Sequence, residues 1–190
     1  MRKNFLLPLA ILFIHTNTKA QLYKPPATST AFTESLTSIT QNFQNNFYHI
    51  QGKQLPSQED MDVYESAVLI PGAKHCVIYR FHSKEDTTAS WQGTMYEGDN
   101  YNEAVKVYRN TCRSVDKSNI KLQGGASTGF TGKTEVPDAN LRFVSSSFKL
   151  KLKDPVYLKF YAEVELVNIN FDQWEVHLNL LNKKDDEDKQ

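Results

Sequence analysis

The sequence predicts an α+β protein, a two-layer sandwich in which a mainly antiparallel sheet is covered by two helices. Two segments carry apolar residues at the three- and four-residue steps of an amphipathic helix, and several others alternate at the two-residue period of a strand. Clean alternation is typical of an antiparallel sheet with one face packed against helices. We predict the order α-β-β-β-α-β-β-β, consistent with a structural duplication, in one domain over residues 31–182.

The first helix is predicted from a single apolar stripe. The stripe consists of Phe32, Leu36, Ile39, Phe43 and Phe47. Ser29 or Thr30 has a side chain that suits the N-cap position. The preceding residues 21–30 are rich in Pro, Ser and Thr and are predicted to be a disordered leader, and the polar residues 51–62 are predicted to be a loop.

Three strands are predicted next, over residues 63–70, 75–82 and 89–96. In the third strand, Trp91 and Met95 share one side, and we assign them to the core rather than to a ligand pocket. In the second strand, one face is more apolar than the other and is expected to face the core. That face carries Val77, Tyr79 and Phe81.

The second helix is predicted to start after Asn100, which forms a capping-box-like pair with Glu103. Its apolar face combines Tyr101, Ala104, Val105, Tyr108, Cys112 and Val115. Residues 123–140 follow as a loop rich in Gly, Ser and Thr.

Three more strands are predicted over residues 141–152, 156–167 and 173–181, and the charged tail 183–190 is expected to be disordered. Alternation in the last two strands assigns a buried face to Val156, Leu158, Phe160, Ala162, Val164, Leu166, Trp174, Val176, Leu178 and Leu180.

Residues 1–20 fit the pattern of a cleavable signal peptide. Arg2 and Lys3 precede a ten-residue apolar run, and small residues allow cleavage between Ala20 and Gln21. The run is half of the roughly 20 apolar residues that a membrane-spanning helix needs. The sequence therefore predicts export to a periplasm or to the exterior, with no transmembrane anchor in the mature chain.

Composition limits the partners of the mature chain. The full chain has 22 basic and 22 acidic side chains, and removing Arg2, Lys3 and Lys19 with the signal leaves 19 basic against 22 acidic, a formal charge of −3. Nucleic-acid binding, which needs a basic surface, is not expected. With 11 Phe and 9 Tyr, the chain has the aromatic content of a folded protein.

The two cysteines, Cys76 and Cys112, are predicted to form a disulfide. An even number of cysteines in an exported protein favours a disulfide, because the compartment is oxidising. Two separate buried thiols are the alternative. The expected strand phase points Cys76 away from the second helix and argues against the bridge.

Several segments resemble catalytic or cofactor-binding motifs, but the residues around them do not meet the requirements of those motifs. Residues 127–134 end like a phosphate-binding loop, but the first Gly is missing, and Pro137 disfavours the helix that must follow Lys133 and Thr134. His75 and Cys76 are adjacent and would point to opposite strand faces. The histidines lack the spacing of a zinc site. We therefore predict no cofactor, no metal site and no catalytic residue.

The outer face of the last hairpin is the candidate binding surface. Its members are Tyr157, Tyr161, Glu163, Glu165, Glu175 and His177. Such a face is often merely solvated, but a Tyr-rich surface also suits recognition.

Three functions remain open. The sequence favours a non-enzymatic exported binding protein whose partner is another exported or envelope protein. The alternatives are a small secreted hydrolase with a site around Glu163, Glu165, Glu175 and His177, and a carrier with an apolar cavity. An enclosed apolar cavity would indicate the carrier, and converging carboxylates in a cleft would indicate the hydrolase.

Overall fold

A computed structural model describes residues 30–82, 88–170 and 172–183. The predicted signal peptide at residues 1–20, the leader as far as residue 29 and the tail from residue 184 lie outside the described residues. The described part contains a large antiparallel sheet of nine strands and two α-helices. Neither helix is long and apolar enough to cross a membrane.

Helix α1 spans Thr30–Asn42 and is shorter than its apolar stripe. Two 3-10 turns, Phe43–Asn45 and Tyr48–Ile50, follow it. Between them, Asn46 and Phe47 have φ angles of 48° and 60°, in the left-handed region that a bulky residue rarely adopts. Phe47 is nevertheless completely buried, so core packing offsets the local strain.

Four strands follow α1, one more than predicted. They are β1 (Gln51–Gln58), β2 (Met61–Ser66), β3 (His75–Phe81) and β4 (Ala89–Gly98). Strand β1 occupies the segment that we expected to be a loop. It lies at the sheet edge and is largely exposed, so it has no apolar alternation to reveal it.

Helix α2 spans Tyr101–Lys117. The Asn100 side chain accepts a hydrogen bond from the Glu103 backbone N–H at 3.1 Å, which confirms the predicted N-cap. The Asn100 N–H is satisfied by the Tyr96 hydroxyl at 3.2 Å.

Five strands follow α2, where three were predicted. They are β5 (Asn119–Lys121), β6 (Ser127–Gly132), β7 (Phe143–Leu150), β8 (Phe160–Asn170) and β9 (Gln173–Asn182). The order across the sheet is β1-β2-β3-β4-β9-β8-β7-β6-β5. Strand β6 lies inside the predicted Gly-rich loop, because its glycines and threonines give little periodic signal.

Strand β8 begins at Phe160 rather than at residue 156, because Pro155–Tyr157 forms a 3-10 turn. The burial predicted for Val156 and Leu158 is therefore wrong: they are 51% and 59% exposed. From Phe160 onward the predicted buried face of β8 and β9 is confirmed. Its members are Phe160, Ala162, Val164, Leu166, Trp174, Val176, Leu178 and Leu180.

One apolar core lies between the helices and one face of the sheet. It includes α1 and α2 residues together with Trp91 and Met95 of β4, as predicted. Residues on the other face of the sheet, such as Val77 and Tyr161, do not belong to this core. We call that other face the open face.

The predicted phase of β3 is wrong. Cys76 and Ile78 pair with Gly93 and Trp91 and belong to the core, whereas Val77 and Tyr79 lie on the open face. The prediction chose the side of β3 with more apolar residues as the core side. The open-face side of β3 also carries apolar residues, because neighbouring side chains partly bury it.

The predicted bridge between Cys76 and Cys112 is absent, and both cysteines are free and buried. The Cys112 thiol contacts Ser146 of β7, while Cys76 lies on β3. Four strand intervals of about 4.8 Å separate β3 from β7, roughly 19 Å, and a disulfide needs Cα atoms within about 7 Å. The sheet therefore holds the two thiols apart.

Candidate functional site

The register of three central strands gathers a polar cluster on the open face. In β8 and β9, Glu165 lies opposite His177 and Glu163 lies opposite Asn179. On the other side of β9, Thr94 of β4 lies opposite His177. Five of the six predicted binding residues share this face: Tyr161, Glu163, Glu165, Glu175 and His177.

Tyr157, the sixth predicted residue, is not part of the cluster. It is 3% exposed and its hydroxyl accepts a hydrogen bond from the Gln44 side chain at 2.9 Å. Its ring packs against Phe43 and Phe160 on the core side. The 3-10 turn before β8 shifts the side-chain phase and so turns Tyr157 inward.

His177 lies between two carboxylates. Its Nε2 atom is 2.8 Å from Glu175 Oε2, and its Nδ1 atom is 4.0 Å from Glu165 Oε2. The three side chains are only 13%, 21% and 22% exposed, in the order His177, Glu175, Glu165. Nε2 is therefore within hydrogen-bond distance of Glu175, whereas Nδ1 is too far from Glu165 for a direct hydrogen bond.

A chain of hydrogen bonds extends the cluster across four strands. Asn179 Nδ2 donates to Glu165 Oε2 at 2.8 Å, and Gln92 Nε2 donates to Asn179 Oδ1 at 2.9 Å. The Tyr79 hydroxyl then donates to Gln92 Oε1 at 3.1 Å. The chain fixes the amide orientations and connects β8 to β3.

Glu163 belongs to a second, cation-rich group at the Tyr161 end of the face. Its Oε1 atom accepts from Ser147 Oγ at 2.8 Å and from Lys183 Nζ at 3.3 Å. The Lys149 and Lys183 ammonium groups lie 4.8 Å and 5.6 Å from the centre of the Tyr161 ring. Glu163 thus has a lysine partner, whereas Glu165 and Glu175 are paired with His177.

An exposed apolar patch lies at the opposite end of the same face. Phe143 of β7 is opposite Val167 of β8, and by strand alternation both share the face of Glu165. Phe143 is 53% exposed, and the neighbouring Leu141 and Ile169 are 56% and 42% exposed. We call Phe143, Val167 and Ile169 the apolar patch. Leu141 lies two residues before Phe143, outside β7. The open face thus combines an apolar patch with acidic side chains.

Burial raises the pKa of the Glu165 carboxyl above its ordinary value. The hydrogen bond from Asn179 and the neighbouring basic groups of His177 and Lys183 oppose this rise, and the like charge of Glu163 adds to it. The folded protein therefore binds a proton at Glu165 more readily than the unfolded chain does. Ionised Glu165 costs folding free energy at neutral pH.

We expect Glu165→Gln to stabilise the protein at pH 7, because the amide removes the buried charge and keeps an acceptor for Asn179. The gain in stability of Glu165→Gln over wild type grows as the pH rises from the unfolded-state pKa of the carboxyl to its raised folded-state pKa, because Glu165 becomes ionised over that range. It should disappear below about pH 4, where the carboxyl is protonated in both states. Urea unfolding at pH 7 and at about pH 3.5 measures the difference.

The matched control is Glu34→Gln, which removes an exposed carboxylate from α1. The free energy of unfolding of the Glu34→Gln protein should differ little from that of wild type at either pH. A Glu165→Gln protein less stable than wild type at pH 7 would show that the ionised carboxylate is held favourably, contrary to this prediction.

The cluster gives a substrate little access to a catalytic base. A general base must reach the substrate, whereas the His177 side chain is only 13% exposed and its Nε2 atom is held by Glu175 at 2.8 Å. Burial raises the pKa of the Cys112 thiol to about 11, so it is not an activated nucleophile. Among the described residues, no three His, Cys, Asp or Glu side chains are grouped to hold a metal ion.

The sequence indicated which residues share a face but not which strands are neighbours. It did not reveal that Gln92 and Tyr79 complete the hydrogen-bond chain, because these residues lie about 80 to 100 positions before their neighbours Asn179 and Glu175. The sequence did show that Gln92 and Thr94 alternate with Trp91 along the strand. That alternation placed Gln92 and Thr94 on the face away from the core.

Comparison of this chain with protein-family models, with curated proteins and with solved structures found no match. The functional argument therefore depends on the residues and geometry of the chain.

Proposed function

We propose that this protein is an exported, non-enzymatic binding protein that recognises a partner protein through the open face. The observation that carries the proposal is the exposed apolar patch beside the acidic pair Glu165 and Glu175. Exposed apolar side chains next to polar ones are typical of protein interaction sites. The partner that fits presents an apolar side chain together with a Lys or Arg.

The energetics of Glu165 support a binding role. Its ionised form costs stability in the free protein, and the cost is removed if a partner supplies a cation. Functional sites are places where proteins tolerate such local losses of stability. A basic side chain of the partner would reach Glu165 or Glu175 while its apolar neighbour covers Phe143.

The alternative functions receive less support. A hydrolase would need an accessible base, whereas the His177 side chain is only 13% exposed and its Nε2 atom is held by Glu175. A carrier would need an enclosed apolar cavity, whereas the groove of about 650 Å³ beside α1 is lined mainly by hydroxyl, amide and charged side chains.

Export is proposed from residues 1–20, whose charge, apolar run and small-residue site match the pattern of a cleavable signal peptide. We also propose that the fold is a two-layer sandwich built from two related helix-and-sheet units. Two features support this: each helix precedes a run of antiparallel strands, and the two runs meet at β4 and β9. The open-face cluster would then lie at the junction between the units.

Selection of displayed random peptides against the mature chain tests the binding role. We expect enriched peptides to combine a basic with an apolar residue. Their affinity should fall about tenfold or more for Phe143→Ser, as at a buried interface anchor, and also for Glu165→Gln.

Two matched variants serve as controls. Leu69→Ser removes another exposed apolar side chain, from the loop between β2 and β3, and Glu34→Gln removes an exposed carboxylate on α1. Both should bind selected peptides as wild type does. Failure to enrich any peptide, or equal affinity for the Phe143→Ser and wild-type proteins, would reject the open face as the binding surface.

A further inference from the structure

Helix α2 carries a cationic stripe on its solvent side. Lys106, Arg109, Arg113 and Lys117 recur at three- and four-residue steps, and all four are exposed. The opposite side of α2 is buried in the core through Ala104, Val107, Tyr108, Thr111, Cys112, Ser114 and Val115. The stripe therefore lies on the far side of the protein from the open face.

The stripe is locally unfavourable for the helix. Arg109, Arg113 and Lys117 are successive like charges at four-residue spacing, which destabilises a helix, and the exposed Asp116, three residues after Arg113, offsets only part of this repulsion. Lys106 is compensated by Glu103 at 3.4 Å, and Lys117 lies in the last turn, where the helix dipole favours a cation. Among the described residues, Arg109 and Arg113 have no ion pair, and Arg113 donates only to Asn110 Oδ1 at 3.1 Å.

The stripe continues into a groove between α1, the end of α2 and β5. The groove has a volume of about 650 Å³ and includes Lys117 and Lys121. The other lining residues are Thr30, Thr33, Glu34, Thr37, Ser38, Gln41 and Asn119. Gln41 Nε2 donates to the Lys121 carbonyl at 2.6 Å, so the two walls of the groove are joined.

We propose that the stripe and the groove together bind an anionic polysaccharide. A line of cations about 16 Å long, from Lys106 to Lys117 at the helical rise, matches the repeated charges of an extended polyanion. Hydroxyl and amide side chains in the groove suit the hydroxyl groups of sugars. Glu34, the one carboxylate among the described residues that line the groove, favours a chain that places hydroxyls rather than anions beside it.

The surface does not fit insertion into a lipid bilayer. An interfacial helix needs an apolar face that enters the acyl region. The exposed side of α2 has only the half-buried Val105 among the residues that line its shallow groove, with Asn102, Lys106, Arg109, Asn110 and Arg113. Polar contact with a hydrated polymer is the interaction that this composition favours.

Titration of the mature protein with defined polymers tests the proposal. The probes are heparin, which carries sulfates, polygalacturonate, which carries carboxylates, and uncharged dextran. We expect saturable binding of one or both anionic polymers, weakening as salt is added, and none of dextran. The preferred probe tells whether sulfate or carboxylate is the natural charge.

The decisive variant is Arg109→Gln combined with Arg113→Gln, both on exposed positions. The dissociation constant for the anionic polymer should rise about tenfold, as expected for two solvent-exposed charge contacts. The control, Lys53→Gln combined with Lys74→Gln, removes the same charge from the β1 and β3 side of the sheet and should bind as wild type does. Circular dichroism checks that both variants are folded.

Equal polymer affinity of the Arg109→Gln, Arg113→Gln and wild-type proteins would overturn the proposal. So would binding of dextran as tightly as the anionic polymers. Binding to phosphatidylglycerol vesicles but to neither polysaccharide would overturn it in favour of a membrane surface. Peptide binding at the open face should be unchanged in the Arg109→Gln, Arg113→Gln protein, so the two sites can fail independently.

Discussion

Replacing Trp91 by Ala should lower the free energy of unfolding by about 4 kcal/mol, the largest effect that we expect from one substitution. Trp91 is completely buried in the middle of the sheet, paired with Ile78 on β3 and Leu180 on β9. Its Nε1–H donates to Ser66 Oγ at 2.8 Å on β2. The Trp91 ring thus packs in the core and bonds to β2, and Ala at this position would leave a cavity in the core.

Such a loss is a large share of the roughly 5–15 kcal/mol that stabilises a typical domain. Because the Ala variant could unfold entirely, the milder variant Trp91→Phe provides a second measurement. It keeps most of the apolar contact but removes the donor to Ser66, and we expect a smaller loss of about 1–2 kcal/mol. Urea unfolding followed by far-ultraviolet circular dichroism measures both variants. A Trp91→Ala protein within about 1 kcal/mol of wild type would contradict the assigned core.

Replacing Gly132 by Ala should cost about 1–3 kcal/mol, because the added Cβ has no space. A Cβ at Gly132 would overlap the Ser147 carbonyl oxygen and would lie 2.7 Å from Phe148 Cδ1. Both atoms belong to β7, so the β6–β7 pairing must shift to make room. The glycine is needed for this close approach and not for an unusual φ angle.

Gly129 in the same strand is the matched control. A Cβ there would meet only the Ser118 carbonyl oxygen, at 3.6 Å, which is ordinary contact. Gly129→Ala should therefore be neutral or slightly stabilising, since Ala restricts the unfolded chain. Thermal unfolding of the two variants gives the comparison. Equal midpoints for Gly132→Ala and Gly129→Ala would show that β6 does not approach β7 as described.

The predicted elements differ in how far local pattern determined them. The α2 start at Asn100 and the buried faces of β8 and β9 were predictable, because capping and alternation are properties of a few consecutive residues. Strands β1 and β6 were missed, because an exposed edge strand and a Gly- and Thr-rich strand have no apolar alternation. Tyr157 was misplaced because one 3-10 turn reverses the phase of the residues before β8.

The candidate site shows the same division. That Glu163 and Glu165 share one side of a strand, and Glu175 and His177 one side of the next, follows from a two-residue period. Which of them meet depended on register, and the sheet sets Glu165 opposite His177. The pairing of β9 with β4 then brought Gln92 into the cluster, and no local pattern indicates that neighbour.

The sequence by itself therefore determined the α+β class, the two helices, and the alternating faces of the last two strands. Tertiary structure decided the order of nine strands, the core-facing side of β3, and the separation of Cys76 from Cys112. The physical reason is that side-chain direction within a strand is fixed by the backbone of adjacent residues. Strand partners far apart in the chain are chosen by which long-range packing buries the most apolar surface.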